Sequence, residues 1–382
     1  MRELAPGRGV STAAPRSAFG QGLRCRNPLI LVVALGLAAL ALAGVQDLFT
    51  SGAFARVRES LMLRDTRDDF FHDTYTVGLL KLHHPDELPI YLLGGSAARE
   101  SLVSAASFAA VVRAKTGVAV EPYILCSQNQ TFGQSLAIAD NLPGGPGVVV
   151  IAVNNNRFRF DPRDVAQQVD GYPMLLESPT LTRFVKDNPP SGLPHVRLPG
   201  ILPGIMRYVA DVGQVKLSRL LAGRPVAVSY KPHWVTARKA WSLARKRKGL
   251  QQWIKSYGPG FTKHVSYNAR LLDTLVRCAR QRGFTVVLLE ETENTAVVGH
   301  AFDRFKRVYR PLVRAIAARY GVPYLNLQAK LRLPNADFWD YIHAVEPGRV
   351  IWQRVLAAAL APTVRVAAGQ TAVLQAAPRR AA

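Results

Sequence analysis

Ser96 sits in the turn Gly94-Gly95-Ser96, between the apolar run PIYLL at 89–93 and a helical stretch. Small residues on such a turn lift a hydroxyl clear of a sheet. The helix N-terminus and the serine's own amide then stabilise negative charge beside it. An ordinary helix cap has the same appearance, so the serine alone decides nothing. Far along the chain, Asp340-Tyr341-Ile342-His343 sets a carboxylate and an imidazole three residues apart, on one side of a helical or turn segment. The carboxylate can hold His343 in one tautomer while the other ring nitrogen takes a proton from a serine, a weak nucleophile without a base. A hydrogen-bonded surface pair is the plain alternative. Two further segments offer N–H groups. Gly133, in QNQTFGQS, presents a bare amide that can face an oxyanion, and Asn154-Asn155-Asn156 follow an apolar strand directly. An asparagine-rich turn, tolerant of left-handed backbone, is the competing reading of that block.

The elements that must position these residues follow a strand-turn-helix rhythm. Apolar runs at 89–93, 119–125, 147–153 (GVVVIAV), 284–289 (FTVVLL) and 322–327 (VPYLNL) read as strands, the second weakened by Pro122. Helical stretches fall at about 97–115, 133–141, 266–282, 303–319 and 347–361. Strands alternating with helices imply an α/β fold, a three-layer α/β/α sandwich with a mostly parallel sheet. Such sheets place ligands at the carboxyl ends of their strands, where Ser96 and Asn154 to Asn156 fall. The alternation stops between about 157 and 262, which reads as an insertion or a subdomain over the active-site face. From 366 the Ala-rich tail reads as frayed.

The order Gly94-x-Ser96, Gly133, Asn after a strand, then Asp340-x-x-His343 resembles the SGNH (GDSL-like) hydrolases over most of residues 89–361, interrupted at 157–262. The text DFWDYIHAVEPGRVIWQRVLA looks like that family's Asp-x-x-His with its closing helix. Two positions depart. Gly95 stands where the family carries Asp, and Asn154-Asn155-Asn156-Arg157 where it carries Gly-x-Asn-Asp. The resemblance implies Ser96 as nucleophile, His343 as base and Asp340 as its orienting partner. It implies an oxyanion hole from the amides of Ser96 and Gly133 with an Asn side chain, either Asn156, counted from the strand end, or Asn154. No metal and no cofactor is expected. His83-His84 with Asp86 and Glu87 matches no zinc spacing and reads as a solvated loop, and Glu290-Glu291-x-Glu293 reads as a solvated strand end.

Residues 29–45, LILVVALGLAALALAGV, form an uncharged run near bilayer-spanning length. Arg2, Arg8, Arg16, Arg24 and Arg26 precede it and the first charge after it is Asp47, which points to a cytoplasmic N-terminus and an exported remainder. A cleaved signal peptide, with Ala41-Leu42-Ala43 as the site, is the alternative. The expected plan is a basic N-terminus at 1–27, a transmembrane helix at 28–45 and a juxtamembrane segment at 46–88. A catalytic domain at 89–365 and a tail at 366–382 complete it. The formal charge of +23 asks for an anionic neighbour, and the chain carries no nucleic-acid-binding motif, so membrane or acidic polymer ranks above DNA. The basic stretch Arg238 to Lys255, with Trp234, Trp241 and Trp253, reads either as a membrane or sugar-stacking surface or as a charged helix with core tryptophans. Cys126 and Cys278 are allowed a bridge but not required to form one.

The function expected is a membrane-tethered, extracytoplasmic serine esterase or O-acyltransferase acting on acyl groups, acetyl foremost, of a cell-envelope glycan. Expected partners are an acylated glycan or lipid-linked substrate, the inner membrane through the N-terminal helix, and other envelope proteins; nucleic acid is not expected. The second reading is a catalytically inactive envelope protein that binds glycan or a partner. The third is a basic membrane-surface adaptor resting on the 238–255 stretch.

Overall fold

The five apolar runs become five parallel strands in one sheet. They are β1 Leu88–Gly94, β2 Val120–Cys126, β3 Val148–Val153, β4 Thr285–Glu290 and the two-residue β5 Tyr324–Leu325, in the order β2-β1-β3-β4-β5. The chain is thus α/β, with a sheet that is parallel throughout. The computed structural model describes residues 28–59, 63, 69–169, 176–190, scattered positions between 206 and 217, 240–257, 260–329 and 331–376. Trp234, Arg238, the basic N-terminus and residues 377–382 lie outside the described residues.

Alternate strand residues enter two separate apolar clusters, as a two-residue side-chain period requires. Tyr91, Leu93, Val149, Ile151, Val286 and Leu288 join one, with the helices Phe132–Asn141, Gly260–Gln281 and Asp303–Tyr320. Ile90, Leu92, Val148, Val150, Val287 and Leu289 join the other, with Ala105–Thr116 and the long helix Glu346–Ala376. Because both faces are covered, the strands carry continuous apolar runs rather than alternation. β2 pairs with β1 alone, so it is an edge strand and tolerates Pro122. The order reverses between β1 and β3. A crevice opens there at the carboxyl ends of the strands, and both β1 and β3 deliver candidate residues to it.

Two boundaries differ from expectation. The stretch expected to be one helix at 97–115 is two, Ser96–Arg99 and Ala105–Thr116, the second capped by Ser104. The tail expected to fray from 366 continues as helix to Ala376, because Val364 and Ala367 are fully buried and alanine is the best helix former. Helix Phe70–Leu82, in the segment expected to be juxtamembrane, buries Phe70, Val77 and Leu80 in the main core. Cys126 and Cys278 are both free and buried.

The chain divides into two units, Met1–Val45 and Gln46–Ala382. In the first, the apolar run Leu29–Val45 lies within a helix, Pro28–Thr50, and its large side chains are exposed. At 1.5 Å per residue that run spans about 26 Å, against roughly 30 Å of hydrocarbon core. Among the described residues one helix, Glu346–Thr371, is long and apolar enough by composition to cross a membrane, but half of it is buried inside the domain. It reads as a core helix.

Candidate active site

Ser96 opens the short helix that follows β1, and Gly95 precedes it in extended backbone. Glycine at 94 is required by close packing: a Cβ there would meet Ala152 Cβ at 2.6 Å and Ala98 Cβ at 2.9 Å. β1 and β3 therefore approach closely enough to set the serine beside the asparagine block.

Asp340 and His343 lie in a tight turn rather than a helix, closed by an isolated antiparallel bridge between Phe338 and Ala344. Asp340 Oδ1 accepts the backbone N–H groups of Ile342 and His343, both at 2.8 Å, and Oδ2 meets His343 Nδ1 at 2.8 Å. An ionised carboxylate accepts only, so the ring proton sits on Nδ1 and Nε2 keeps its lone pair. That nitrogen lies 3.0 Å from Ser96 Oγ, across 247 residues of sequence. Burial pushes the Asp340 carboxyl up, but the His343 ring and the two turn amides outweigh it and hold the group below its ordinary value. The serine hydroxyl therefore donates to a base whose far side is fixed by a buried anion.

The loop is pinned from outside as well. Asn294 Nδ2 donates to Asp340 O at 3.1 Å, and the buried Lys246 ammonium donates to Phe338 O at 2.7 Å.

A cavity of about 160 Å³ opens on Ser96 and His343, lined also by Asn129, Asn156, Trp253 and Glu291. Among the expected oxyanion groups, the structure separates Gly133 from the site. Thr131 and Gln134 form a capping box that starts the helix Phe132–Asn141, so Gly133 is buried in its first turn and does not line the cavity. The loop's contribution is Asn129. It is the one non-glycine residue with positive φ (55°) among the described residues, a conformation asparagine tolerates. Neither the backbone N–H of Asn129 nor that of Ser96 has a hydrogen-bond partner among the described residues. The signal in the sequence was the asparagine inside QNQT, passed over in favour of the nearby glycine.

Asn154 and Asn156 both reach the cavity, with different commitments. Asn154 Oδ1 caps the turn by accepting Arg157 N at 2.9 Å, and its Nδ2 donates to Glu291 Oε2. Asn156 Oδ1 accepts Arg159 Nε at 2.6 Å, while Nδ2 makes one long 3.3 Å bond to Asn129 Oδ1. Each Nδ2 thus keeps a second proton, and the weaker existing commitment is that of Asn156. Asn155 is buried away from it, its Nδ2 without a partner.

The three glutamates expected to be solvated are not. Glu290 is buried against Tyr309 and Arg310, and Glu293 pairs with Lys306. Glu291 is 5% exposed and lines the cavity. Its Oε1 accepts the Gly95 N–H at 3.3 Å, so one carboxylate ties the residue before Ser96 to Asn154. Burial raises its carboxyl, opposed by the nearby Arg157 guanidinium and the two donors. Arg157 is itself fully buried, donating to Gln130 O at 3.1 Å, Thr131 O at 3.0 Å and Ala152 O at 2.5 Å. It fastens the Asn129 loop to β3.

A larger groove of about 820 Å³ runs between the helices Pro179–Asp187, Gly260–Gln281 and Asp303–Tyr320. Its polar lining includes the Asp273–Arg319 pair and no serine–histidine couple. No family model and no curated protein matches the chain.

Proposed function

We propose that this chain is a serine esterase or O-acyltransferase of the SGNH kind, built as a three-layer α/β/α sandwich and tethered to the inner membrane by its N-terminal helix. Its catalytic domain faces the extracytoplasmic side and acts on short acyl groups, acetyl foremost, of a cell-envelope glycan. The observation that carries the reading is the unbroken chain of hydrogen bonds from Ser96 Oγ through the His343 ring to Asp340 Oδ2, opening on a cavity with unpartnered amides.

In the proposed reaction, Ser96 Oγ attacks the ester carbonyl as its proton passes to His343 Nε2. The tetrahedral oxyanion sits against the amides of Ser96 and Asn129 and the Asn156 carboxamide. Collapse breaks the bond to the leaving alkoxide, which takes the proton from Nε2 and departs as an alcohol. Water or a sugar hydroxyl then gives its proton to Nε2 and attacks acyl-Ser96, and the proton returns to Oγ as the product leaves. The cavity of about 160 Å³ suits an acetyl-sized group better than a fatty chain. The exposed apolar run Leu29–Val45, behind Arg2, Arg8, Arg16, Arg24 and Arg26, supports the tether.

The test is fluorophosphonate labelling of the full chain in an uncharged detergent, beside Ser96→Ala. Labelling confined to the wild type supports an activated Ser96. A folded wild type that takes no label overturns the reading and leaves a glycan- or partner-binding protein.

A further inference from the structure

Ser96 follows β1 and Asn129 follows β2, and the pairing of these strands ends at Gly94 and Cys126. Beyond that point the sheet no longer sets how far apart the backbone N–H groups of Ser96 and Asn129 lie. The link is made from outside the sheet, by the helix Phe70–Leu82. Asp69 stands at its N-cap, where an aspartate ordinarily accepts an N–H of its own first turn. Among the described residues it makes no such bond, and the carboxylate is turned to the two segments instead. Oδ2 accepts Arg99 Nη1 at 2.6 Å, from the last residue of the short helix that Ser96 opens. The same oxygen accepts Gln128 N at 2.8 Å, with Oδ1 3.0 Å from that N–H.

One turn further along the helix, Asp73 Oδ2 accepts Gln130 Nε2 at 3.1 Å. The residues on either side of Asn129 are thus both held by carboxylates of one helix. Asn129 has φ of 55°, a conformation that a residue other than glycine keeps only where its surroundings over-determine it. An exposed ion pair would hold little, but Arg99 and Asp73 are each 2% exposed.

We propose that Asp69 and Asp73 are positioning residues that together hold the Asn129 turn against the helix of Ser96. The helix Phe70–Leu82, from the segment expected to be juxtamembrane, then sets the spacing of the two oxyanion amides. This rests on the reading of Ser96 as nucleophile and of the Asn129 N–H as an oxyanion donor.

The full chain in uncharged detergent is compared as wild type, Asp69→Ala, Asp69→Asn, Asp73→Ala and Lys81→Ala. Lys81 lies on the same helix and donates to Asn141 Oδ1 at 2.6 Å, away from the cavity, so it reports what a lost contact of this helix does by itself. Three quantities are read below each melting temperature. They are the kinetics of acylation by an activated acetyl ester, the affinity of a boronate that forms a tetrahedral adduct on serine, and hydrogen exchange in the peptide 127–131. In Asp69→Ala and Asp73→Ala the acylation rate and the boronate affinity should each fall roughly tenfold to 10²-fold, while KM stays within about twofold. Exchange at 127–131 should quicken in both. Lys81→Ala should match wild type in all three. If Asp69→Ala does not fold, Asp69→Asn is read in its place: it loses the charge that faces Arg99 and should show the same pattern at smaller size.

Equal losses in the aspartate variants and Lys81→Ala, a rise in KM without a fall in rate, or unchanged exchange at 127–131 overturns the proposal. Quickened exchange in the aspartate variants of a protein whose wild type takes no fluorophosphonate supports the positioning of the turn and sinks the acyl-transfer reading instead.

Discussion

The buried Glu291 carboxylate accepts the backbone N–H of Gly95 at 3.3 Å, which places an acid one residue from the serine although the two segments lie 196 residues apart. A Cβ at 95 would lie 3.6 Å from the same oxygen, so the carboxylate occupies the space beside the glycine. Its second oxygen takes Asn154 Nδ2. One side chain thus joins the two strand ends that form the crevice.

Replacing Glu291 tests that link. Glu291→Ala leaves the Gly95 amide and Asn154 Nδ2 unpaired, at about 1–3 kcal/mol for each buried donor, and should slow labelling of Ser96 as the turn loosens. Glu291→Gln keeps an acceptor and should be milder. The pH dependence has a definite sign. Burial raises this carboxyl above its ordinary 4.5, so its stabilising contribution is present below that value and lost as pH rises through the folded value. The melting temperature of Glu291→Gln relative to wild type should therefore climb from pH 4.5 towards neutrality. A difference independent of pH would contradict the assignment.

Asp340 has the opposite sign. Its carboxyl is held below the ordinary 3.8, so the stability it supplies is present above that value and lost as pH falls through the lower, folded one. Asp340→Asn should remove that acid-side loss from the unfolding profile. It should also slow Ser96 acylation by roughly 10³- to 10⁴-fold, since an amide favours the wrong His343 tautomer. Burst kinetics with an activated acetyl ester measure the second effect.

The two asparagines should separate in their consequences. Asn156→Ala should cost roughly 10²- to 10³-fold in acylation rate, with little change in melting temperature. Asn154→Ala removes a cap and a partner of Glu291, and should appear first as a loss of about 1–3 kcal/mol in stability. If the two effects are exchanged, Asn154 is the oxyanion donor.

Asn129 offers a backbone test. Glycine adopts φ of 55° without cost, so Asn129→Gly should keep the acylation rate within a few-fold and the melting temperature near wild type. Asn129→Val puts a β-branched side chain in left-handed backbone and should lose about 1–2 kcal/mol together with activity. Equal behaviour of the two variants in a chemical-denaturation series would show that this conformation is not needed.

Much of this was legible in the sequence, and the gaps have a common cause. Buried parallel strands are written as apolar runs, so VVVIAV and FTVVLL located β3 and β4 closely. Ser96, Asp340 and His343 could be picked out because their order and spacing are local properties. Glu291 was missed because its partners, Gly95 and Asn154, come from other strands, and three acids in four residues look solvated when read alone. Asn129 was missed because its role lies in a backbone angle. Of the tryptophans of the basic stretch, Trp253 packs on the main core and lines the cavity, while Trp241 packs on Trp339.

The central claim is that Ser96 becomes acylated. The direct measurement is intact-mass and peptide-mass analysis of the full chain, quenched in acid seconds after mixing with an activated acetyl ester. One acetyl group should appear on the peptide carrying Ser96 in wild type and accumulate in Asn156→Ala more slowly, and it should be absent from Ser96→Ala. Ester turnover with no acyl-enzyme at Ser96, or acetylation that persists in Ser96→Ala, would contradict the account.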